Sequence, residues 1–188
     1  RKAIELDSNF ARAHSNLGNI IKDLGKIEEA VENYKIAIKL KPNFFGTYSN
    51  LANSFHKLGL FREAIRSYKK AIELNNNSPE TYNNYGNLLR QLGNLIDSEN
   101  NFKKAITLNP NFAKAYANLG NVYRMTGKID ESIEVYEKAV NIEPELHSAE
   151  AHLIFQKKNV CDFTISEKIL KKSSTLGITT KSIGPFSA

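Results

Sequence analysis

The sequence predicts an all-α protein, a solenoid of helix hairpins repeated in series. Three observations predict it. First, Asn16-Leu17-Gly18-Asn19 recurs as Asn50-Leu51-Ala52-Asn53, Asn84-Tyr85-Gly86-Asn87 and Asn118-Leu119-Gly120-Asn121, at a constant step of 34 residues. Second, other columns repeat in phase: Gly25, Gly59, Gly93 and Gly127; Tyr34, Tyr68, Phe102 and Tyr136; Ala37, Ala71, Ala105 and Ala139. Third, the apolar residues between these columns follow helical spacing, as Leu17, Ile21 and Leu24 do in one stripe and Ile27, Val31, Tyr34 and Ile38 in the next. A fixed period of this length is the mark of a repeat architecture, in which each unit buries its apolar face against its neighbours.

Each element follows from local chemistry. The first helix of a unit ends at the glycine column, because glycine takes a left-handed C′ conformation without a Cβ penalty. The second helix ends before Pro42, Pro110 or Pro144, with Asn76 in that place in the second unit. The alanine column lets the two helices approach closely, and the aromatic one turn earlier fills the wider gap. Ser78 and Pro79 stand where an N-cap and a first-turn proline belong. These signals place four units at 11–44, 45–78, 79–112 and 113–146. Residues 1–10 read as the tail of an earlier unit, with Ala3 in the alanine column and Ile4 and Leu6 in its stripe, so a longer upstream array is expected. Residues 147–176 read as a degenerate repeat or helical cap. Residues 177–188, with Gly184-Pro185, read as a linker.

Composition narrows the classes. The chain of 188 residues is 41% hydrophobic and 24% charged, which suits a globular chain with a real core. Its single cysteine excludes an internal disulfide framework and favours a reducing compartment, so a cytoplasmic location is expected. No apolar run approaches the roughly 20 residues that span a bilayer, and no membrane partner is expected. A net charge of +6 mildly favours acidic partners and is too small to imply nucleic acid.

The columns resemble the tetratricopeptide repeat, a 34-residue unit with Leu-Gly at its seventh and eighth positions and later alanine, aromatic, alanine and proline positions. The resemblance covers nearly all of the chain and implies a right-handed α-solenoid. Departures are mild: His14 replaces the bulky fourth residue, and Ser98 and Ser132 stand in the column of Ala30 and Ala64. A narrower resemblance adds to it. Arrays with Asn-Leu-Gly/Ala-Asn in nearly every unit are similar to those of the O-linked N-acetylglucosamine transferase and Spindly-like family. Val160-Cys161-Asp162-Phe163 resembles the Val-Cys-Asp-Trp that follows such arrays, and Gly184-Pro185-Phe186 resembles the connector to the catalytic half. This resemblance implies that a UDP-GlcNAc-type catalytic domain lies beyond Ala188, and that the chain itself is not an enzyme.

In the family, the first helix of each unit lines the concave side. That implies two rails of amides, Asn16, Asn50, Asn84 and Asn118 in one and Asn19, Asn53, Asn87 and Asn121 in the other. Lys22, His56, Arg90 and Arg124 stand one turn further on. Asparagine is a poor residue for helix interiors, yet its amide both donates and accepts. Such rails suit the backbone of an extended protein or peptide client, as the transferase family's asparagine ladder does. At about 0.5–1.5 kcal/mol net per bond, less ordering costs, roughly micromolar affinity is the expected ceiling. The competing reading is that these amides pair with neighbouring helices or face water, and that the basic row is a solvated face. The carboxylate clamp of chaperone-tail binders is not expected, since its lysine column holds Ser15, Ser49, Asn83 and Ala117 here.

Catalysis finds little footing. His147 and His152 are five apart and do not share a helix face, so a zinc pair is not expected. No phosphate loop, nucleophile elbow or HExxH occurs. Cys161 beside Asp162 is not an activated thiolate. No cofactor or metal is expected. Nucleic acid is not an expected partner, because Tyr48, Tyr82 and Tyr116 fall in a packing column rather than on the groove. Exposed ends of such arrays often pair, which leaves a homo-oligomer open. The reading is a peptide-binding module, either the substrate-recruiting arm of a protein O-glycosyltransferase or a stand-alone scaffold.

Overall fold

The computed structural model describes residues 2–159, with side chains from Phe10 to Lys158. Among the described residues every regular element is a helix. The chain divides into two units, Arg1–Pro110 and Asn111–Ala188.

The first unit holds three hairpins. They are α1 (Lys2–Asp23) with α2 (Ile27–Leu40), α3 (Phe45–Lys57) with α4 (Phe61–Leu74), and α5 (Pro79–Gln91) with α6 (Leu95–Leu108). Each hairpin turns on a glycine with positive φ, +83° at Gly25 and +77° at Gly93, where a Cβ would be strained. The second helices end where expected, α2 two residues short of Pro42 and α6 two short of Pro110. Ser78 caps α5 by accepting from the Thr81 amide at 3.3 Å, and Asn94 caps α6 by accepting from the Asp97 amide at 3.3 Å.

One boundary differs from the sequence reading. The backbone of α1 is helical from Lys2 straight through the expected junction at residues 10 and 11. The absence of proline alone does not separate the cases: Ser8 stands where Pro42 and Pro110 stand, but so does Asn76, and α4 still ends at Leu74.

The core repeats with the sequence. Tyr34, Tyr68 and Phe102 are fully buried, each beneath the first helix of its own hairpin. At about 1.5–3 kcal/mol per buried large apolar side chain, these aromatics anchor each hairpin. Successive hairpins are joined by mixed clusters. Ala30, Val31 and Tyr34 pack with Leu51, and Ala64 and Tyr68 pack with Tyr85, Leu88 and Leu89. Tyr68 and Tyr85 rings stack at 5.4 Å. In α1 the equivalent positions Leu17 and Ile20 are 45% and 59% exposed, since no described helix precedes them. A buried polar seam joins the first helices: Thr47 Oγ1 bonds Ser15 Oγ at 2.9 Å and Thr81 Oγ1 bonds Ser49 Oγ at 3.1 Å. Contacts recur between α1 and α3 and between α3 and α5, whereas α2, α4 and α6 meet one another marginally at most. The first helices therefore line the inner side of this unit.

The second unit holds the hairpin of α7 (Ala113–Met125) and α8 (Ile129–Ile142), followed by α9 (His147–Asn159). Tyr136, Ala139, Ala149 and Leu153 form its core. The His152 ring stacks on Tyr136 at 5.5 Å. The motif at 160–163 and the connector at 184–186 lie outside the described residues, as do the expected helical cap past Asn159 and the linker at 177–188.

Candidate functional site

The asparagine rails lie on the first helices, and the structure divides their members by what their amides do. The second rail is tied to the aromatic column. Tyr34 donates its hydroxyl to Asn19 Oδ1 at 2.8 Å, Tyr68 to Asn53 Oδ1 at 2.5 Å, and in the second unit Tyr136 to Asn121 Oδ1 at 3.1 Å. Burial, helped by Asp23, pushes the Tyr34 phenol up to about 12, and burial raises Tyr68 as well. Both phenols stay protonated and remain donors. Their hydroxyls hold the amide oxygens inward, which turns the amide nitrogens away from the tyrosines. Asn121 Nδ2 donates to its own helix at Ala117 O, 3.1 Å away. Asn19 and Asn53 spend no Nδ2 hydrogen inside the protein among the described residues.

Asn87 breaks the pattern. The aromatic beneath its helix is Phe102, which has no hydroxyl, and the half-buried Asn87 amide has no partner among the described residues.

The first rail is looser. Asn16 is exposed. Asn50 donates from Nδ2 to Asn19 Oδ1 at 2.9 Å, so one oxygen links the two rails across α1 and α3. Asn84 is half-buried and receives a long 3.4 Å contact from Asn83. Asn118 is half-buried in the second unit.

The basic row is not uniform. Lys22 sits 3.8 Å from Asp23. The His56 Nε2 lies 2.7 Å from Gln91 Oε1, which fastens the end of α3 to the end of α5. Arg90 is half-buried, and its Nε is fully shielded from solvent with no hydrogen-bond partner. Arg124 is exposed in the second unit. The column that would carry a carboxylate clamp is closed: Ser15, Ser49, Asn83 and Ala117 are all buried.

Sequence reasoning missed the tyrosine hydroxyls. The signal was present, because the aromatic column is tyrosine in three units and phenylalanine in one. It also read Ser98 and Ser132 as neutral departures. Each is buried and donates to a glycine carbonyl of the facing helix, Ser98 to Gly86 at 2.8 Å and Ser132 to Gly120 at 3.0 Å.

Among the described residues no group of three histidine, cysteine or acidic side chains could hold a metal ion. No described helix is long and apolar enough to cross a membrane.

Family models described as TPR repeat or tetratricopeptide repeat match residues 18–59, 46–78 and 77–145. No curated protein matches the chain significantly. Among solved structures, MamA is 26% identical over 94% of this chain and 98% of its own, with a TM-score of 0.74. A pilF protein of Pseudomonas aeruginosa is 19% identical over 90% of this chain and 77% of its own, at a TM-score of 0.83. YrrB, described as a TPR protein with an unusual peptide-binding site, is 19% identical over 95% of this chain and 92% of its own, at 0.71. At these identities pilF and YrrB speak to the fold alone.

Proposed function

Since residues 18–145 are a run of tetratricopeptide repeats, we propose that this protein-interaction module holds an extended polypeptide along the inner face of α1, α3 and α5. The observation that carries the proposal is the orientation of the second rail. Tyr34 and Tyr68 occupy the oxygens of Asn19 and Asn53, which leaves their Nδ2 hydrogens to donate outward. Backbone carbonyls of a client are the matching acceptors. Such contacts ignore client sequence, which suits a scaffold that serves several partners. Exposed Asn16 and half-buried Asn84 extend the row of amides. Arg124 and Asn118 give α7 the same residue types in the second unit.

The glycosyltransferase-arm expectation is favoured by no finding. Its tail motif lies outside the described residues, no curated protein supports it, and the amide rails serve a scaffold equally well. A stand-alone scaffold is therefore the function we adopt.

The test is selection of short peptides from a displayed library on the whole chain. The selected peptides are then titrated against wild type and the double variant Asn19→Ala and Asn53→Ala. Loss of these two outward donors predicts about tenfold weaker binding, with the helical circular-dichroism signal retained at the assay temperature. Equal affinity in the two proteins, or failure to select any peptide, refutes the proposal.

A further inference from the structure

Arg90 is an expensive residue where it stands. Its Nε carries a hydrogen, is shielded from solvent and has no partner. A buried donor left unmade costs the desolvation of that group, and more when the group is charged. No acidic side chain pairs with Arg90 among the described residues. The guanidinium is thus positioned and partly dehydrated without an internal anion.

Its surroundings are rich in donors. Asn87 lies one helical turn before Arg90 on the same face of α5, and its amide is released because Phe102 replaces the tyrosine of the other units. On the neighbouring helix, Asn53 has its oxygen held by Tyr68 and its Nδ2 hydrogens free. His56, one turn past Asn53, reaches Gln91, the residue after Arg90, which sets the two helix ends side by side. Two independent observations converge here: a desolvated cation without a counter-ion, and the one second-rail asparagine freed from its tyrosine.

We propose that Arg90 and Asn87 form a carboxylate subsite in the inner face of the third hairpin, so that the module prefers clients with an acidic group at one register position. The planar guanidinium can donate in parallel to both carboxylate oxygens, a geometry lysine lacks. Asn87 is free to turn its Nδ2 toward the same anion. The amide rails then supply sequence-independent grip, and this subsite supplies register. The inference rests on the peptide-binding reading above. The carboxylate could come from an Asp or Glu side chain or from a client's C-terminus.

The experiment uses the whole chain and three extended Ser/Thr/Ala peptides. One has a central Glu and an amidated C-terminus, one a central Gln and an amidated C-terminus, and one a central Gln and a free C-terminal carboxylate. A charge-assisted pair at a half-buried site predicts about tenfold tighter binding of a carboxylate peptide than of the amidated Gln peptide. Preference for the first peptide assigns the side chain as the source, and preference for the third assigns the terminus. Arg90→Gln should erase the difference between the peptides. Asn87→Asp should erase it too, by giving Arg90 an internal carboxylate one turn away, and it guards against a misfolded Arg90 variant. Equal binding of all three peptides to wild type, or a preference that survives both variants, overturns the subsite and leaves the groove reading standing. No binding of any of the three overturns both.

Discussion

The hydroxyl of Tyr34 donates to the amide oxygen of Asn19 at 2.8 Å, from the second helix of a hairpin to the first. The bond recurs at the same sequence separation in the second and fourth repeats. It joins the buried aromatic column to the half-buried amide row, so packing inside the hairpin decides which amide atoms the inner face presents.

Removing one of these hydroxyls should cost the bond and little else. The third repeat already places Phe102 in this position, so Tyr68→Phe is sterically acceptable. The expected loss is about 0.5–1.5 kcal/mol in urea unfolding. The reverse change, Phe102→Tyr, should be neutral or stabilising by up to about 1 kcal/mol by giving Asn87 a partner. A loss above about 3 kcal/mol for Tyr68→Phe would mean that packing, not the bond, dominates.

In the third repeat the glycine at the eighth position lies tight against its aromatic, whereas the second repeat carries Ala52 there. A Cβ on Gly86 would stand 2.8 Å from the Phe102 ring, whereas a Cβ on Gly46 in α3 meets nothing within 4 Å. Gly86→Ala should therefore destabilise by about 1–3 kcal/mol. Gly46→Ala should be neutral or slightly stabilising, since alanine is the better helix former. Equal thermal shifts for the two variants would contradict the argument.

The buried seam between first helices should show the asymmetry of hydrogen bonding. Thr47→Val leaves the buried Ser15 hydroxyl without its 2.9 Å partner, at a cost of about 1 kcal/mol or more. The double change Ser15→Ala with Thr47→Val removes both polar groups and should recover most of that loss. Additive losses in a double-mutant cycle would show that the two hydroxyls do not act as a pair.

His152 predicts a pH dependence in the second unit. Burial, and then the nearby Arg124 charge, hold its imidazole below the ordinary value of 6.5. The folded state therefore favours the neutral ring, and between the two values the unfolded chain binds more protons. That stability is fully present above the unfolded value and is lost as pH falls through the folded one. His152→Gln should flatten the fall in melting temperature over this window. An identical pH profile for wild type and variant would remove the role assigned to His152.

Period, hairpin boundaries and the alternation of core and surface were legible in the sequence, because each depends on local chemistry repeated in phase. Gly25 turns the chain and Pro42 stops a helix wherever they stand, and a 34-residue step fixes which residues share a helix face. What each asparagine does was decided only by tertiary structure. Asn19 and Asn87 occupy the same repeat position, yet one amide oxygen is held by Tyr34 and the other is free above Phe102. A side-chain amide offers donors and an acceptor of comparable strength, so its role is set by whichever partner the second helix brings within reach. Arg90 likewise reads in sequence as an ordinary member of a basic row. Its buried, unpartnered Nε arises only when α5 packs against its neighbours and water is excluded from one side of the guanidinium.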